Sequence, residues 1–309
     1  MNLPDSLTTV GDGAFMYCRS LDNISLGQGL VSVGNNTFLG CSRLATIDIP
    51  DGVTAIGNYM FSRCYILDNI VIPDSVTTIG DYAFDRCVDL VSISGGKNVT
   101  SIGESAFDEC SSLTHIVIPD SVTSMGRKAF QLCTSLSSAS IGSGLTTIPA
   151  QAFFRCSNLT TVSIGKGVTT IESAFFKCPR LDNVKMDGPP PPPDSNLQYA
   201  FPAGANLHVW PKHAAEYGGE GAFWNGLLVQ LRETTPKIVS LSVDEITSLT
   251  LTSGPETTYR CLYSPDLQSP FTQVTTTPAV ITTSSNGPLF FSVDTPPSKG
   301  FFILEEVLP

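Results

Sequence analysis

The sequence is poor in positive charge and has few charged residues of either sign. It holds 17 Lys and Arg against 28 Asp and Glu, a formal net charge of −11, and only 15% of its residues are charged. This balance argues against nucleic acid or an anionic membrane as the main partner, because both require a positive face. With 41% hydrophobic residues, the chain can bury a large core, and Ser, Thr, Asn and Gly must cover much of its surface.

Long apolar runs are also missing. No stretch approaches the roughly 18 apolar residues of a membrane-spanning helix, so we expect no membrane insertion. The start, MNLPDSLTTVGDGAF, lacks the basic and apolar regions of a signal peptide. If the protein is exported, its signal is therefore expected to lie outside this chain.

Residues that carry catalysis or bind metals are scarce. There are three histidines, His115, His208 and His213, with no HExxH motif and no phosphate-binding glycine loop. His208 and His213 lie near Glu216 and Glu220, but the spacing fits no standard metal site. We expect no enzyme activity, no catalytic residue, no metal and no cofactor.

Eight of the nine cysteines recur with a fixed period, at intervals of 23 residues apart from one interval of 22. They are Cys18, Cys41, Cys64, Cys87, Cys110, Cys133, Cys156 and Cys178. A Phe stands three residues before each and a Leu three residues after, with further columns of Val and Ile. A period in this range predicts a repeat solenoid, whose core exists only when neighbouring coils stack.

Each coil has a recognisable internal pattern. In LTHIVIPDSV, Leu113, Ile116 and Ile118 are predicted to point inward and His115 and Val117 outward, on one short strand of a parallel sheet. The VTSI and VTTI segments predict a second short extended segment on another face. The stretch GESAFDEC has helical or 3-10 spacing.

The cysteine column has two interpretations. Stacked coils bring equivalent residues close enough for one neighbouring pair to oxidise, but parallel side chains disfavour disulfide geometry. We therefore expect a reduced, buried ladder, in which Cys behaves as a small apolar residue. Cys261 lies outside the period and has no obvious partner.

Units such as TSIGESAFDECSSLTHIVIPDSV and TAIGNYMFSRCYILDNIVIPDSV resemble the leucine-rich repeats of the BspA type, found in bacterial and some protozoan surface proteins. The resemblance covers about residues 3 to 186. It implies a cell-surface or secreted recognition protein that binds a macromolecule, commonly in adhesion, without catalysis. An extracellular or host protein, with a glycan as a second possibility, is the implied partner.

The pattern divides the chain into three parts. Residues 1–186 form the solenoid, residues 187–232 a degenerate last coil and cap, and residues 233–309 a small antiparallel β-sandwich. In the cap, Ala200-Phe201 echoes the repeat, Leu207 and Val209 predict a last strand, and Pro211 to Tyr217 a short helix. Trp210, Tyr217, Phe223 and Trp224 are expected to cover the final coil.

The outward residues of the strand after each leucine, here called the strand face, are the candidate binding surface, because the exposed strand surface of a solenoid is its usual recognition face. The candidates are Asp22, Asn23, Asp48, Asp68, Asn69, Ser92, Thr114, His115, Ser138, Thr161, Asp182 and Asn183.

Other functions remain open. The chain is a structural spacer if it has no ligand, or binds carbohydrate if Trp210, Trp224, His208 and Glu216 line a cleft in the cap. The Thr and Ser pairs such as Thr77-Thr78 and Thr123-Ser124 fit a structural hydroxyl ladder better than an ice- or glycan-binding array. Arg63, Arg86, Arg155 and Lys177 share one coil position and are expected to form a solvated rim.

Overall fold

The computed structural model describes residues 1–191, 200–202, 205–209 and 211–220, with the strands at 223–224 and 227–231 and nine strands beyond them. The chain divides into two compact units, Met1–Leu231 and Arg232–Pro309. Each unit is described by itself below.

The first unit is a β-solenoid of about 9 turns, which confirms the predicted repeat fold. We number its coils 1 to 9 by their core phenylalanines, Phe15, Phe38, Phe61, Phe84, Phe107, Phe130, Phe153, Phe175 and Phe201. The two-residue strands, on the Val-Thr-x-Ile side, are β1 (Thr9–Val10), β2 (Ser32–Val33), β3 (Ala55–Ile56), β5 (Thr78–Ile79), β7 (Ser101–Ile102), β9 (Ser124–Met125), β11 (Thr147–Ile148) and β13 (Thr170–Ile171).

The longer strands follow the leucine column in coils 3 to 8 and continue into the cap. They are β4 (Asn69–Ile72), β6 (Ser92–Gly95), β8 (His115–Ile118), β10 (Ser138–Ile141), β12 (Thr161–Ile164), β14 (Asn183–Met186), β15 (Asn206–Val209) and β17 (Leu227–Leu231). Neighbouring long strands pair in parallel, residue for equivalent residue, as in His115 with Ser138 and Ile116 with Ala139. In β8, Ile116 and Ile118 are buried while His115 and Val117 are exposed, so the predicted inward and outward positions are correct.

Stacked phenylalanine rings form the centre of the core. Successive rings from Phe15 to Phe201 have centroids 5.1–5.5 Å apart and lie nearly parallel. The rings of coils 2 to 8 are essentially inaccessible to solvent. Each interior ring is therefore covered on both faces by the neighbouring coils, and no coil can bury its ring alone.

The segment GESAFDEC, with its predicted helical or 3-10 spacing, forms a pair of tight turns with hydrogen bonds between residues three apart, and no continuous helix. Ser105 and Glu109 have φ of +50° and +56°, in the left-handed region. Alternate amides then leave the coil, so that Phe107 N–H donates to the Ala129 carbonyl while Asp108 N–H donates to the Ser105 carbonyl. A helix would direct every amide along its own axis, so the turns are needed to link neighbouring coils.

A ladder of Asp and Asn side chains, which the sequence interpretation missed, joins coils at the start of these turns. The Asp12 Oδ1 accepts the Asn35 N–H at 2.7 Å, and the Asn35 Oδ1 accepts the Asn58 N–H at 2.8 Å. The ladder continues from Asn58 to Asp81 and from Asp81 to Glu104. A Gly-Asp or Gly-Asn pair in each of coils 1 to 4 is the sequence signal for this ladder. These bonds satisfy backbone amides that the turn would otherwise leave unpaired.

The parallel sheet of long strands is interrupted at coil 4. There the repeated Ile-Pro is replaced by Gly95-Gly96, with φ of +79° and +68°. A Cβ at Gly95 would lie 2.2 Å from the Ile72 carbonyl oxygen, so this path requires glycine. Accordingly β4 pairs with β6 in one sheet, while β8 begins a separate one.

The eight repeat cysteines are free, and seven of them are buried. Each buried thiol donates to the carbonyl oxygen of the Phe of the preceding coil, with S···O distances of 3.0–3.3 Å. The predicted reduced ladder is therefore correct for Cys41 to Cys178. Cys18, in coil 1, is exposed instead.

We expect native thiol labelling to separate these two groups. Burial raises the pKa of the Cys41 thiol to about 11, with the nearby Cys18 raising it further, and burial raises the pKa of Cys110 well above its ordinary value. At pH 8, iodoacetamide should modify Cys18 while Cys41 to Cys178 react only after unfolding, because the thiolate is the nucleophile. Peptide mass mapping measures each site separately from Cys261. Equal labelling of Cys18 and Cys110 in the folded protein would contradict the buried ladder.

The end of the first unit resembles the predicted cap, with one correction. Phe201 stacks on Phe175, and a 3-10 helix spans Pro211–Tyr217 as expected. Tyr217 is buried, and its hydroxyl donates to the Gly188 carbonyl oxygen at 3.0 Å. However, β15 is not the last strand, because β17 adds to it in parallel and β16 (Phe223–Trp224) returns antiparallel to β17. Trp210 lies outside the described residues.

The second unit contains antiparallel strands, consistent with the β-rich texture of its sequence. They are β18 (Lys237–Val239), β19 (Leu249–Thr250), β20 (Thr257–Ser264), β21 (Thr272–Gln273), β22 (Thr276–Thr277), β23 (Ile281–Thr283), β24 (Pro288–Leu289), β25 (Ser292–Val293) and β26 (Phe301–Val307). The sheet order β18-β26-β20-β21 is built on the long β20–β26 pair. The β-sandwich stays a prediction.

Candidate functional site

The structure places the candidate residues at outward positions of successive coils, on either side of the break between β6 and β8. Eight of the twelve, Asp22, Asn23, Asp48, Asp68, Asn69, Thr114, His115 and Asp182, are exposed, and Ser92, Ser138, Thr161 and Asn183 are half-buried. Strand pairing aligns Asn69 with Ser92, His115 with Ser138, and Thr161 with Asn183. The structure therefore brings these side chains together on one surface.

Both ends of the strand face are occupied by contacts within the chain. At the first end, Asp22 forms an ion pair with Arg43 at 2.8 Å. At the other end, Asp182 accepts from the Asn206 amide at 2.9 Å and Asn183 contacts the His208 Nε2 at 3.0 Å. Polar groups at the ends therefore have partners already.

The centre of the strand face is different because it carries exposed valines. Val71 and Val117 are 64% and 67% exposed, and Val91, on coil 4 between them, is 44% exposed. We call Val71, Val91 and Val117 the apolar patch. Val71 and Val117 occupy equivalent positions two coils apart, on β4 and β8. Scattered apolar residues are normal on a surface, but these three exposed valines lie at outward positions of three successive coils, on either side of the break between β6 and β8.

Polar side chains lie beside the valines of the apolar patch. The Ser92 hydroxyl donates to the Asn69 Oδ1, and the Thr114 hydroxyl contacts the His115 Nδ1 at 3.1 Å. Within the described residues, the Asp48 and Asp68 carboxylates have no hydrogen bond or ion pair from a side chain. Coils 2 to 5 thus combine apolar area with acceptors that a partner can use.

A groove of about 570 Å³ follows the other side of the coils. Gly57, Gly80, Gly103 and Gly126 line it together with the hydroxyls of Thr78, Ser101 and Ser124. The adjacent hydroxyls of Thr77, Thr100 and Thr123 donate to carbonyl oxygens of the preceding coil at 3.0–3.3 Å. This supports the structural interpretation of the hydroxyl ladder, since those groups bond within the chain.

Two stacked carboxyl groups lie half-buried in the turns of coils 4 and 5. Burial raises the pKa of the Asp108 carboxyl to about 6, and Asp85 and Glu109 raise it further, whereas hydrogen bonds from Gln131 and the charge of Lys128 lower it. Burial likewise raises the pKa of Asp85, against a hydrogen bond from Ser62. Ionisation of Asp108 is therefore less favourable in the folded state than in the unfolded chain.

Replacing Asp108 by Asn is expected to stabilise the protein at pH 7. The pKa of Asp108 is near 4 in the unfolded chain and about 6 in the folded protein, so its contribution to the stability of the unaltered protein is fully present below pH 4 and is lost as the pH rises through about 6. Asn carries no charge and avoids this loss. We expect a Tm increase of about 2–4 °C at pH 7, since partial solvation limits the gain to about 1 kcal/mol, and almost none at pH 4. Thermal unfolding at both pH values, with Asp51→Asn as an exposed control, measures this. Equal effects at both pH values would refute it.

The residues of the proposed carbohydrate cleft take part in separate contacts. His208 contacts Asn183 on the strand face, while Glu216 contacts the His213 Nδ1 at 3.1 Å. Within the part of the chain that the structure describes, no group of three His, Cys, Asp or Glu is arranged to hold a metal ion. The same residues include no helix of the length and apolar character needed to cross a membrane.

Comparisons with known proteins bear on the solenoid. Residues 1–114 and 77–189 match the family described as BspA type Leucine rich repeat region, in 6 copies. No curated protein matches the chain in sequence.

Several solved structures are similar to the chain. A leucine rich repeat protein from T. pallidum has 27% identity over 59% of this chain and 77% of its own, with a TM-score of 0.43. One from Bacteroides ovatus has 23% identity over 68% of each chain and a TM-score of 0.41. A leucine rich cell surface protein from Faecalibacterium prausnitzii has 20% identity over 76% of this chain and 88% of its own, with a TM-score of 0.40.

Proposed function

We propose that this chain, which belongs to the BspA-type leucine-rich repeat family, is a non-enzymatic recognition protein that binds an extracellular protein through its strand face. The cell surface or the extracellular space is its proposed location, as the family resemblance implies. The solenoid serves as a rigid scaffold, because each coil is fixed to the next by ring stacking and hydrogen-bond ladders. The ligand is held at coils 2 to 5.

The observation that carries this proposal is the apolar patch among unpaired polar groups. Val71 and Val117 are more than half exposed on strands of the solenoid. Burying them against a partner releases water from apolar area, at about 25 cal/mol per Å². The nearby Asp48, Asp68 and His115 then supply the polar rim that fixes orientation.

A protein is favoured over a glycan as the ligand. Sugar rings bind preferentially on open aromatic faces, and the candidate strand-face residues together with the apolar patch include no aromatic ring other than the imidazole of His115. Valine side chains instead form an apolar floor on which an aromatic or aliphatic anchor of a partner protein can pack. A glycan ligand and a spacer without a ligand remain as outcomes of the test.

Arrays of extracellular-matrix proteins and of glycans, probed with the biotinylated full chain, test this function. A variant with Asp48→Arg, Asn69→Arg and Thr114→Arg places three bulky cations on the strand face. A control with Gln28→Arg, Asp51→Arg and Thr54→Arg makes the same change in net charge at exposed positions off that face. Circular dichroism verifies that both remain folded.

We expect saturable binding to a matrix protein that the strand-face variant loses and the control keeps. Binding that both variants keep would place the site elsewhere. Binding to glycans alone would support a carbohydrate-binding protein, and absence of binding to either array would support the spacer.

A further inference from the structure

The turns of coils 7 and 8 carry an aromatic and cationic cluster that no other pair of coils in the described part of the solenoid has. Phe154 and Phe176 stack with centroids 5.9 Å apart, and Phe176 is 43% exposed. At the same coil position, coils 3 to 6 have the polar residues Ser62, Asp85, Asp108 and Gln131, and coils 1 and 2 have the aliphatic Met16 and Leu39. We call Phe154, Arg155, Phe176 and Lys177 the cationic-aromatic patch.

Two cations lie over these rings. The Arg155 Cζ is 5.2 Å from the centroid of Phe154, and the Lys177 Nζ is 5.8 Å from Phe154 and 5.6 Å from Phe176. Cation–π contacts of this kind hold the charged groups in place instead of leaving them mobile in solvent. A guanidinium stacked on a ring keeps its N–H edge available for a carboxylate.

Among the residues that the structure describes, neither cation has an acidic partner. Among the ion pairs of the described residues, none involves Arg155 or Lys177, although the chain has a net charge of −11. By contrast, Arg86 occupies the equivalent position in coil 4 and pairs with Glu109 at 3.3 Å. Two fixed, adjacent and unpaired cations on an acidic protein form a site for an anionic group.

We propose that the cationic-aromatic patch binds an acidic peptide segment of a protein partner, at a site distinct from the strand face. Arg and aromatic residues together are typical of protein contact hot spots. Sugar rings and nucleic-acid bases need open aromatic faces, whereas the chain's own cations lie over both rings. The net charge of −11 also disfavours a long polyanion, because long-range repulsion opposes its approach.

The spacing of the patch indicates how the carboxylates of the partner are arranged. Arg155 and Lys177 occupy the same turn position in neighbouring coils, and the Arg155 N–H donates to the Phe176 carbonyl oxygen at 3.2 Å, so their backbones are about one coil spacing, roughly 5 Å, apart. Carboxylates three or four residues apart on a helix have Cβ atoms about 5–6 Å apart, which matches this separation. A helical acidic peptide with an apolar residue beside the carboxylates therefore meets both cations and covers the Phe176 edge.

The test uses a fluorescein-labelled helical peptide of about 16 residues, since shorter isolated helices are marginal in water. It carries Glu at every fourth position with Leu beside each, and a second peptide has Gln at every Glu. Fluorescence anisotropy measures binding to the full chain, to Arg155→Glu with Lys177→Glu, and to Arg63→Glu with Arg86→Glu. The control pair occupies the same turn position in coils 3 and 4, and it makes the same charge change without ring contacts.

We expect the Glu peptide to bind the full chain and the Gln peptide to bind about tenfold more weakly. Added salt should weaken the binding of the Glu peptide. Arg155→Glu with Lys177→Glu should reduce affinity about tenfold or more, and the control pair by less than about twofold. Equal losses in both variants, no binding of the Glu peptide, or preferential binding of heparin would overturn the proposal. The strand-face variant should bind this peptide normally, so the two proposals fail independently.

Discussion

Replacing Phe107 by alanine is expected to lower the free energy of unfolding by about 3–5 kcal/mol, the usual cost of removing a buried aromatic ring. The ring centroid of Phe107 is 5.1 Å from those of Phe84 and Phe130, and the ring is fully buried. The variant therefore leaves a cavity bordered by two rings, which the stacked coils cannot close. Because stability in a solenoid is the sum of coil and interface terms, unfolding is also expected to lose cooperativity near coil 5.

Phe15→Ala provides the matched control. Among the described residues, Phe15 stacks on one ring, that of Phe38, with centroids 5.4 Å apart, and it is partly exposed. Phe15→Ala should lower the free energy of unfolding by less than half as much as Phe107→Ala. Urea unfolding followed by far-UV circular dichroism and by tyrosine fluorescence measures both variants. A Phe107→Ala loss no greater than that of Phe15→Ala would show that ring stacking does not hold the coils together.

Gly144→Ala is expected to destabilise the solenoid by about 2–3 kcal/mol, although it adds a single methyl group. A Cβ at Gly144 would lie 2.0 Å from the Asp120 carbonyl oxygen of the preceding coil. Backbone cannot rotate away as a flexible side chain does, so the two coils must separate there and strain their hydrogen bonds.

Gly11→Ala separates this effect from the general cost of replacing glycine. A Cβ at Gly11 has no atom within 4 Å, so that variant should change stability by less than about 0.5 kcal/mol. Thermal unfolding of the two variants gives the comparison. If Gly144→Ala were as stable as Gly11→Ala, the close approach of neighbouring coils would be incorrect.

The periodic columns allowed the fold to be predicted because burial acts in the same way on every coil. The Phe, Cys and Leu columns are buried wherever coils cover them, and each long strand alternates as its Ile and Val residues indicate. The turn before each cysteine was harder to predict. Arg63, Glu109 and Leu132 all adopt positive φ there, and these residue types carry no signal for the left-handed region.

Features that break the period gave the weakest sequence signals for the candidate sites. Val117 was predicted to point outward, but the repeat pattern does not indicate that Val71, Val91 and Val117 are all exposed in coils 3 to 5. The pairing of Phe154 with Phe176 involves only two coils, so no column reveals it. Recognition sites of a repeat protein lie where side chains depart from the consensus, which periodicity does not detect.

The central claim is tested most directly by measuring how tightly variants of the apolar patch bind the strongest protein ligand found on the array. Val71→Glu with Val117→Glu introduces two charges on the strand face at positions more than half exposed, so folding should be preserved. Val31→Glu is the control, since Val31 is 50% exposed and lies outside the long strands. By calorimetry, the account predicts a loss of affinity of about tenfold or more in the double variant and unchanged affinity in the control. Equal affinity of the double variant and the unaltered chain would contradict recognition through the strand face.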